Sequence, residues 1–144
     1  MMLAADLEHV IEQCHQALDE IMKGSGDGYR RVYSRRDDVT LANPFGPPAR
    51  GWEQVDETLE RAASQFRDGA TTGFERIVTG VTSELAYIVE IERMQTKLGG
   101  RDDITPYALR VTTIFRPEEE TWKVVHRHAD PITTPRPVES LIQP

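Results

Sequence analysis

Only one cysteine, Cys14, occurs in the 144 residues, so no internal disulfide can staple the chain. Cys14 falls on the apolar stripe of a predicted helix, which reads as a buried structural thiol rather than a nucleophile. No cationic start followed by an apolar run marks a signal peptide, and no run of about 18 apolar residues marks a membrane span. The expectation is a reduced, cytoplasmic protein with no membrane partner. Positive charge is also in short supply: 17 Lys and Arg face 24 Asp and Glu, for a formal net charge of −7. Nucleic acid is bound largely through lysine and arginine, so that balance argues against it as a partner. No Gly-x-Gly-x-x-Gly, phosphate loop or nucleophile elbow is present, and no cofactor is expected. No repeat or low-complexity linker divides the chain. We read one domain over residues 1–130 and a proline-rich tail over 131–144. A chain of this length can bury roughly 70% of its unfolded surface, so it needs no metal staple.

What is present begins with a helical pattern. Leu3, Leu7, Val10, Ile11, Cys14, Ala17, Leu18, Ile21 and Met22 lie three, four and seven apart, one stripe on a helix of about five turns. Gly24, Gly26 and Gly28 stop it. A short second helix is expected around Tyr29–Arg35, ending at Asp37 and Asp38. Val39–Ala42 reads as a brief strand, closed by Asn43-Pro44 and Gly46-Pro47-Pro48. A third helix is expected from Trp52 to about Phe66, with Asp68-Gly69 ending it.

From Phe74 the period changes to two. Phe74–Ser83, Leu85–Lys97 and Thr105–Arg116 read as strands, and Pro117 to Glu120 turn the chain into the last one. The tail from Pro131 has four prolines in its last fourteen residues and cannot continue a sheet. It is expected on the surface or against a neighbouring subunit. Helices first and long strands afterwards define an α+β layer domain. The hollow between the layers is the default ligand site.

The last strand, Thr121–Asp130, reads TWKVVHRHAD. Strict alternation would put Trp122, Val124, His126 and His128 on one face; which face of the sheet that is stays open. Two imidazoles beside an indole suggest a partly apolar site that handles protons.

This order of elements resembles the nuclear transport factor 2-like superfamily, and within it the SnoaL-like domains related to ketosteroid isomerases. The most specific stretch is LRVTTIFRPEEETWKVVHRHAD, Leu109 to Asp130. It looks like that family's arginine-valine-threonine strand, acidic turn, tryptophan and closing histidine-x-histidine. The resemblance implies a cone-shaped, curved, mixed β-sheet packed against three N-terminal helices, a cystatin-like α+β roll. It also implies a pocket for a small, largely hydrophobic molecule, with cofactor-free acid–base isomerisation, cyclisation or dehydration as the enzymatic option. The alternative is a non-catalytic ligand-binding or oligomerisation module. The calcium/calmodulin-dependent protein kinase association domain has a similar ending, and a homodimer is expected. The carboxylate–tyrosine–acid trio of ketosteroid isomerases has no residue-by-residue counterpart, although Tyr33, Asp37 and Asp38 lie in the corresponding early region.

Candidate catalytic residues are therefore His126, His128 and Arg110, and candidate pocket-lining residues are Tyr33, Asn43, Trp52, Glu90 and Thr112. Each has a plainer alternative. The histidines could serve only as hydrogen-bonding groups of a packed sheet. Arg110 could hold a ligand's carboxylate or enolate, or pair with Glu90 or Glu92 on the neighbouring strand. Glu90 and Glu92 share a parity with Ile88 and Met94, and either act as acid or base in a cavity or face solvent. Asp37-Asp38 caps a turn or shuttles protons. Trp52, Tyr33, Phe45 and Phe66 line the cavity or fill the core. No third ligand accompanies the two strand histidines, so no metal site is expected, and His9 and His15 lie off the helix stripe, where exposure is expected.

Overall fold

The apolar stripe of the first segment forms helix α1, Ala4–Met22. Its residues Leu7, Val10, Ile11, Cys14, Leu18 and Ile21 are all buried, and each large side chain so placed contributes roughly 1.5–3 kcal/mol. The computed structural model describes residues 4–143; Leu3, expected on the same stripe, and Pro144 lie outside them. Helix α2 spans Asp27–Val32, starting and stopping earlier than the spacing suggests. It stops because Tyr33 turns extended, with φ −82° and ψ 140°. Tyr33 bridges Val124 and donates its hydroxyl to the Thr40 carbonyl.

Strands β1 (Thr40–Ala42) and β2 (Ala49–Arg50) form a small antiparallel pair, the second of which the sequence did not announce. Helix α3 follows at Trp52–Ala63. It ends short of Phe66, because Phe66 pairs with Leu98 and begins strand β3, Phe66–Val81. The Asp68-Gly69 stretch is a break in register inside that strand, between Arg67 and Ala70. Glycine is required there: a Cβ at Gly69 would lie 2.4 Å from the Thr96 Cβ. Strands β4 (Ala86–Leu98), β5 (Thr105–Glu118) and β6 (Thr121–Asp130) complete the meander.

The six strands form one sheet in the order β2-β1-β6-β5-β4-β3. All pairs are antiparallel except β1 with β6, so the sheet is mixed. Three register shifts in β3 and one in β6 bend the strands, and the helices cover the concave face. The core sits between, with Trp122, Phe115, Val111 and Ile88 from the sheet meeting the α1 stripe. Beyond Asp130 the tail runs outside the sheet, and Val138–Leu141 makes one exposed 3-10 turn.

The irregularity in β6 decides the site. Ile114 of β5 faces His126 and Phe115 faces Val124, which leaves Val125 without a partner. One unpaired residue reverses the side-chain parity beyond it. Trp122 and Val124 point inward, and so do Arg127 and Ala129, all buried. The expected common face for Trp122, Val124, His126 and His128 is therefore corrected: both histidines lie on the outer, convex face.

Candidate functional site

Residues of all three helices and of the sheet line a cavity of about 50 Å³ at the end of the cone where β1 finishes and β3 begins. Leu18, Ile21 and Met22 of α1, Leu59 and Ala62 of α3, and Phe66 and Leu109 of the sheet make most of the wall. Asn43, Pro44 and Phe45 form the lip, and Asn43 Oδ1 accepts the Phe45 N–H at 3.0 Å. Phe45 is exposed and stands beside the buried Phe66 ring, 6.2 Å between centroids, which in turn stacks on Tyr107. Asn43, Phe45 and Ala62 also line a second hollow of about 190 Å³. The lip thus separates two spaces.

The polar groups of the wall are few. Arg127 comes from β6 and meets Glu92 of β4 in two parallel bonds of 2.8 Å. The side chains are 8% and 4% exposed. The Tyr29 ring lies 5.5 Å from the guanidinium carbon. Burial opposes the Arg127 charge, but Glu92 outweighs it and holds the guanidinium charged. Burial also pushes the Tyr29 and Tyr107 hydroxyls above their usual 10.0, so both stay protonated. Among the described residues the Tyr107 hydroxyl reaches only the Met22 thioether sulfur, at 3.2 Å, a weak acceptor. Burial raises the Cys14 thiol to about 12, which makes it inert as a nucleophile.

Glu90 points inward too, toward the seam between α1 and the sheet. His15 Nε2 lies 2.8 Å from one oxygen and Arg76 donates to the other at 2.8 Å. His15 stacks on Phe74 with 3.6 Å between ring centroids. Burial would raise the Glu90 carboxyl, but the bonds from His15 and Arg76 outweigh it and hold it below 4.5. Two expectations change here. Glu90 and Glu92 do not face solvent, and His15 is half-buried rather than exposed, because the stripe's flank leans on β3 and β4.

On the outer face the strands align in rows. Ile114 faces His126, Thr112 faces His128 and Arg110 faces Asp130. His126 Nδ1 lies 2.7 Å from the Thr40 hydroxyl. Burial, with the neighbouring His128, lowers its pKa below 6.5. His128 and Arg110, 51% and 52% exposed, both hold Asp130. Arg110 therefore pairs with Asp130, not with Glu90 or Glu92, which lie across the sheet.

Of the other lining candidates, Asn43 belongs to the cavity and Glu90 to the seam, whereas Thr112 is on the outer face. Tyr33 is buried at 1% beneath a separate groove, and Trp52 is half-buried with the Arg35 guanidinium 5.1 Å above its ring. Asp38 holds Arg116 at 2.7 Å on the surface. Arg127, Tyr107 and Tyr29 were missed. The shared parity of Glu90, Glu92, Ile88 and Met94 was a usable signal for one side of the pair, but the bulge hid its partner. Among the described residues, no group of three or more His, Cys, Asp and Glu could hold a metal ion, and no helix is long and apolar enough to cross a membrane.

Residues 7–133 match the SnoaL-like domain. The chain belongs to this family. The solved structures agree on the fold. A nuclear transport factor 2-like superfamily protein from Salmonella enterica superposes with a TM-score of 0.73 at 13% identity, covering 88% of this chain and 89% of that one. A ketosteroid isomerase-like protein from Erwinia carotovora gives 0.73 at 16%, covering 90% and 96%. A protein with a cystatin-like fold from Caulobacter vibrioides gives 0.64 at 15%, covering 87% and 86%. No curated protein matches this SnoaL-like chain. The α+β fold expected from the order of elements, and the kinship whose most specific signal is Leu109–Asp130, both hold.

Proposed function

We propose that this SnoaL-like domain binds a small, largely hydrophobic molecule at the mouth of the cone. The observation that carries it is a cavity walled by apolar side chains onto which one underused hydroxyl, Tyr107, and one buried guanidinium, Arg127, converge. Apolar walls with a few fixed polar groups are the usual build of small-molecule sites. The enclosed space of about 50 Å³ is small. A ligand would enter by displacing Phe45 and joining it to the hollow beyond. The Tyr107 hydroxyl would donate to a carbonyl oxygen of the ligand. Arg127 would offset negative charge that develops there. Cofactor-free isomerisation, cyclisation or dehydration is the chemistry such a site would support, and His126 and His128, on the outer face, would take no part in it. The lone reduced thiol suits a cytoplasmic setting.

A panel of hydrophobic carbonyl compounds, screened by thermal shift and by methyl NMR of Met22, tests this. Saturable binding that weakens in Tyr107→Phe and disappears when Ala62→Leu fills the cavity is expected. A panel without a saturable response, or binding that ignores both substitutions, sinks the proposal.

A second reading is favoured by the outer face. Val78, Tyr87 and Ile77 are exposed there or at its edge, beside Val89, Ile91 and Ile114 and flanked by Arg110, Asp130 and the two histidines. A homodimer closed over this face would use the histidines as interface groups and need no catalysis.

A further inference from the structure

At the far end of β6 from the cavity lies an unlike feature in a chain of net charge −7. A groove of about 500 Å³ is lined by five cationic side chains, Arg30, Arg31, Arg35, Arg36 and Lys123, against the carboxylates Glu118 and Glu119. We propose that this groove is a binding site for a small molecule carrying a phosphate group.

The argument rests on which of these charges are already met. Arg30 is fully engaged by Asp27, Asp56 and Glu60. Glu118 is engaged by Arg116 at 2.8 Å. Among the described residues, the other four cations lack a tight carboxylate partner. Arg31 stands 3.4 Å from Glu20 and Arg36 stands 3.7 Å from Glu118, and their side chains are 67% and 61% exposed. Lys123 donates to the Arg31 carbonyl at 3.0 Å, and Arg35 donates to the Arg30 carbonyl at 3.2 Å. Cations commonly cap carbonyls at a helix end in this way, which accounts for where those two sit. It does not neutralise them, since a carbonyl satisfies one donor and leaves the charge. Among the described residues, Arg31 and Arg36 are met only by the longer, exposed pairs with Glu20 and Glu118, which contribute little.

The same contacts make the group ready to bind. Arg35 is held over Trp52 by its cation–π contact and keeps further N–H donors free. Arginine's planar fork matches phosphate oxygens in pairs. The groove's volume lies within the range of small-molecule sites. Gathering like charges is unfavourable until an anion joins them.

The test is an amide NMR titration of the full chain with pyrophosphate as probe, in about 150 mM salt, where charges farther apart than about 8 Å are screened. Saturable shifts confined to residues 30–36 and 118–123 are expected. Arg31→Gln with Arg36→Gln should weaken the affinity about tenfold or more, while Arg110→Gln on the outer face leaves it unchanged. Both arginines are exposed, so an unaltered melting temperature verifies that the double variant folds. No saturation, or undiminished binding by the double variant, overturns the proposal. A response to vesicles of phosphatidylserine in phosphatidylcholine, without one to pyrophosphate, also overturns it and assigns the groove to a lipid surface.

Discussion

Arg127 and Glu92 meet where water is excluded, so each offsets the cost of burying the other's charge. Removing one partner strands an ion in the core, which typically costs about 3–5 kcal/mol. Glu92→Gln and Arg127→Met should each lower stability by about that much in urea titrations, whereas Glu92→Leu combined with Arg127→Met should recover most of it. Equal losses in all three variants would show that packing alone matters there. Glu90 makes a pH-dependent contribution. Its carboxyl is held below its ordinary 4.5 by His15 and Arg76 against the opposing effect of burial. A lowered folded-state value means the stabilisation is fully present above the unfolded value and fades as pH falls through the folded one. Unfolding midpoints followed from pH 6 down to about pH 3 should thus decline less steeply for Glu90→Gln than for the parent. His126, lowered by burial and then by His128, should titrate below 6.5 by NMR and rise when His128→Asn removes its neighbour.

At the scale of an element, the bulge in β6 makes an unusual prediction. Val125 is the extra residue, so deleting it restores plain alternation while leaving Arg127 inward and the histidines outward. Deleting Lys123 instead shifts Trp122 off its inward parity. The first deletion should therefore cost clearly less than the second in chemical denaturation. Gly69 is the counterpart in β3. Gly69→Ala drives a methyl into Thr96, and overpacking of this kind typically costs about 1–3 kcal/mol, read as a lower urea midpoint. These two irregularities also explain what periodicity could and could not see. The α1 stripe and the strands β4 and β5 are regular, and their buried residues recur at the spacing the pattern demands. Asp68-Gly69 looks like any turn until Thr96 is seen against it, so periodicity does not show the first half of β3, residues 66–73. The unpaired Val125 leaves no mark on composition, so plain alternation places His126 and His128 on a face with Trp122 that they do not share.

For the molecule as a whole, the convex face and the tail remain without a covering partner among the described residues. If copies pair through that face, light scattering should find a dimer that Val78→Asp disperses, and a chain ending before Pro131 should show whether the tail contributes. A monomer at all concentrations would remove the assembly reading. The amino-acid order alone determined the α+β class, the run of three helices into a curved meander, and the kinship carried by Leu109–Asp130. Hydrophobic spacing acts within one segment and suffices for the class and the order of elements, whereas the kinship rests on resemblance to the motif residues themselves. Tertiary structure alone decided that Arg127 finds Glu92 thirty-five residues away, that His15 finds Glu90, and that the histidines look outward. Such pairings depend on register between strands, and one unpaired residue in a neighbour can reverse it.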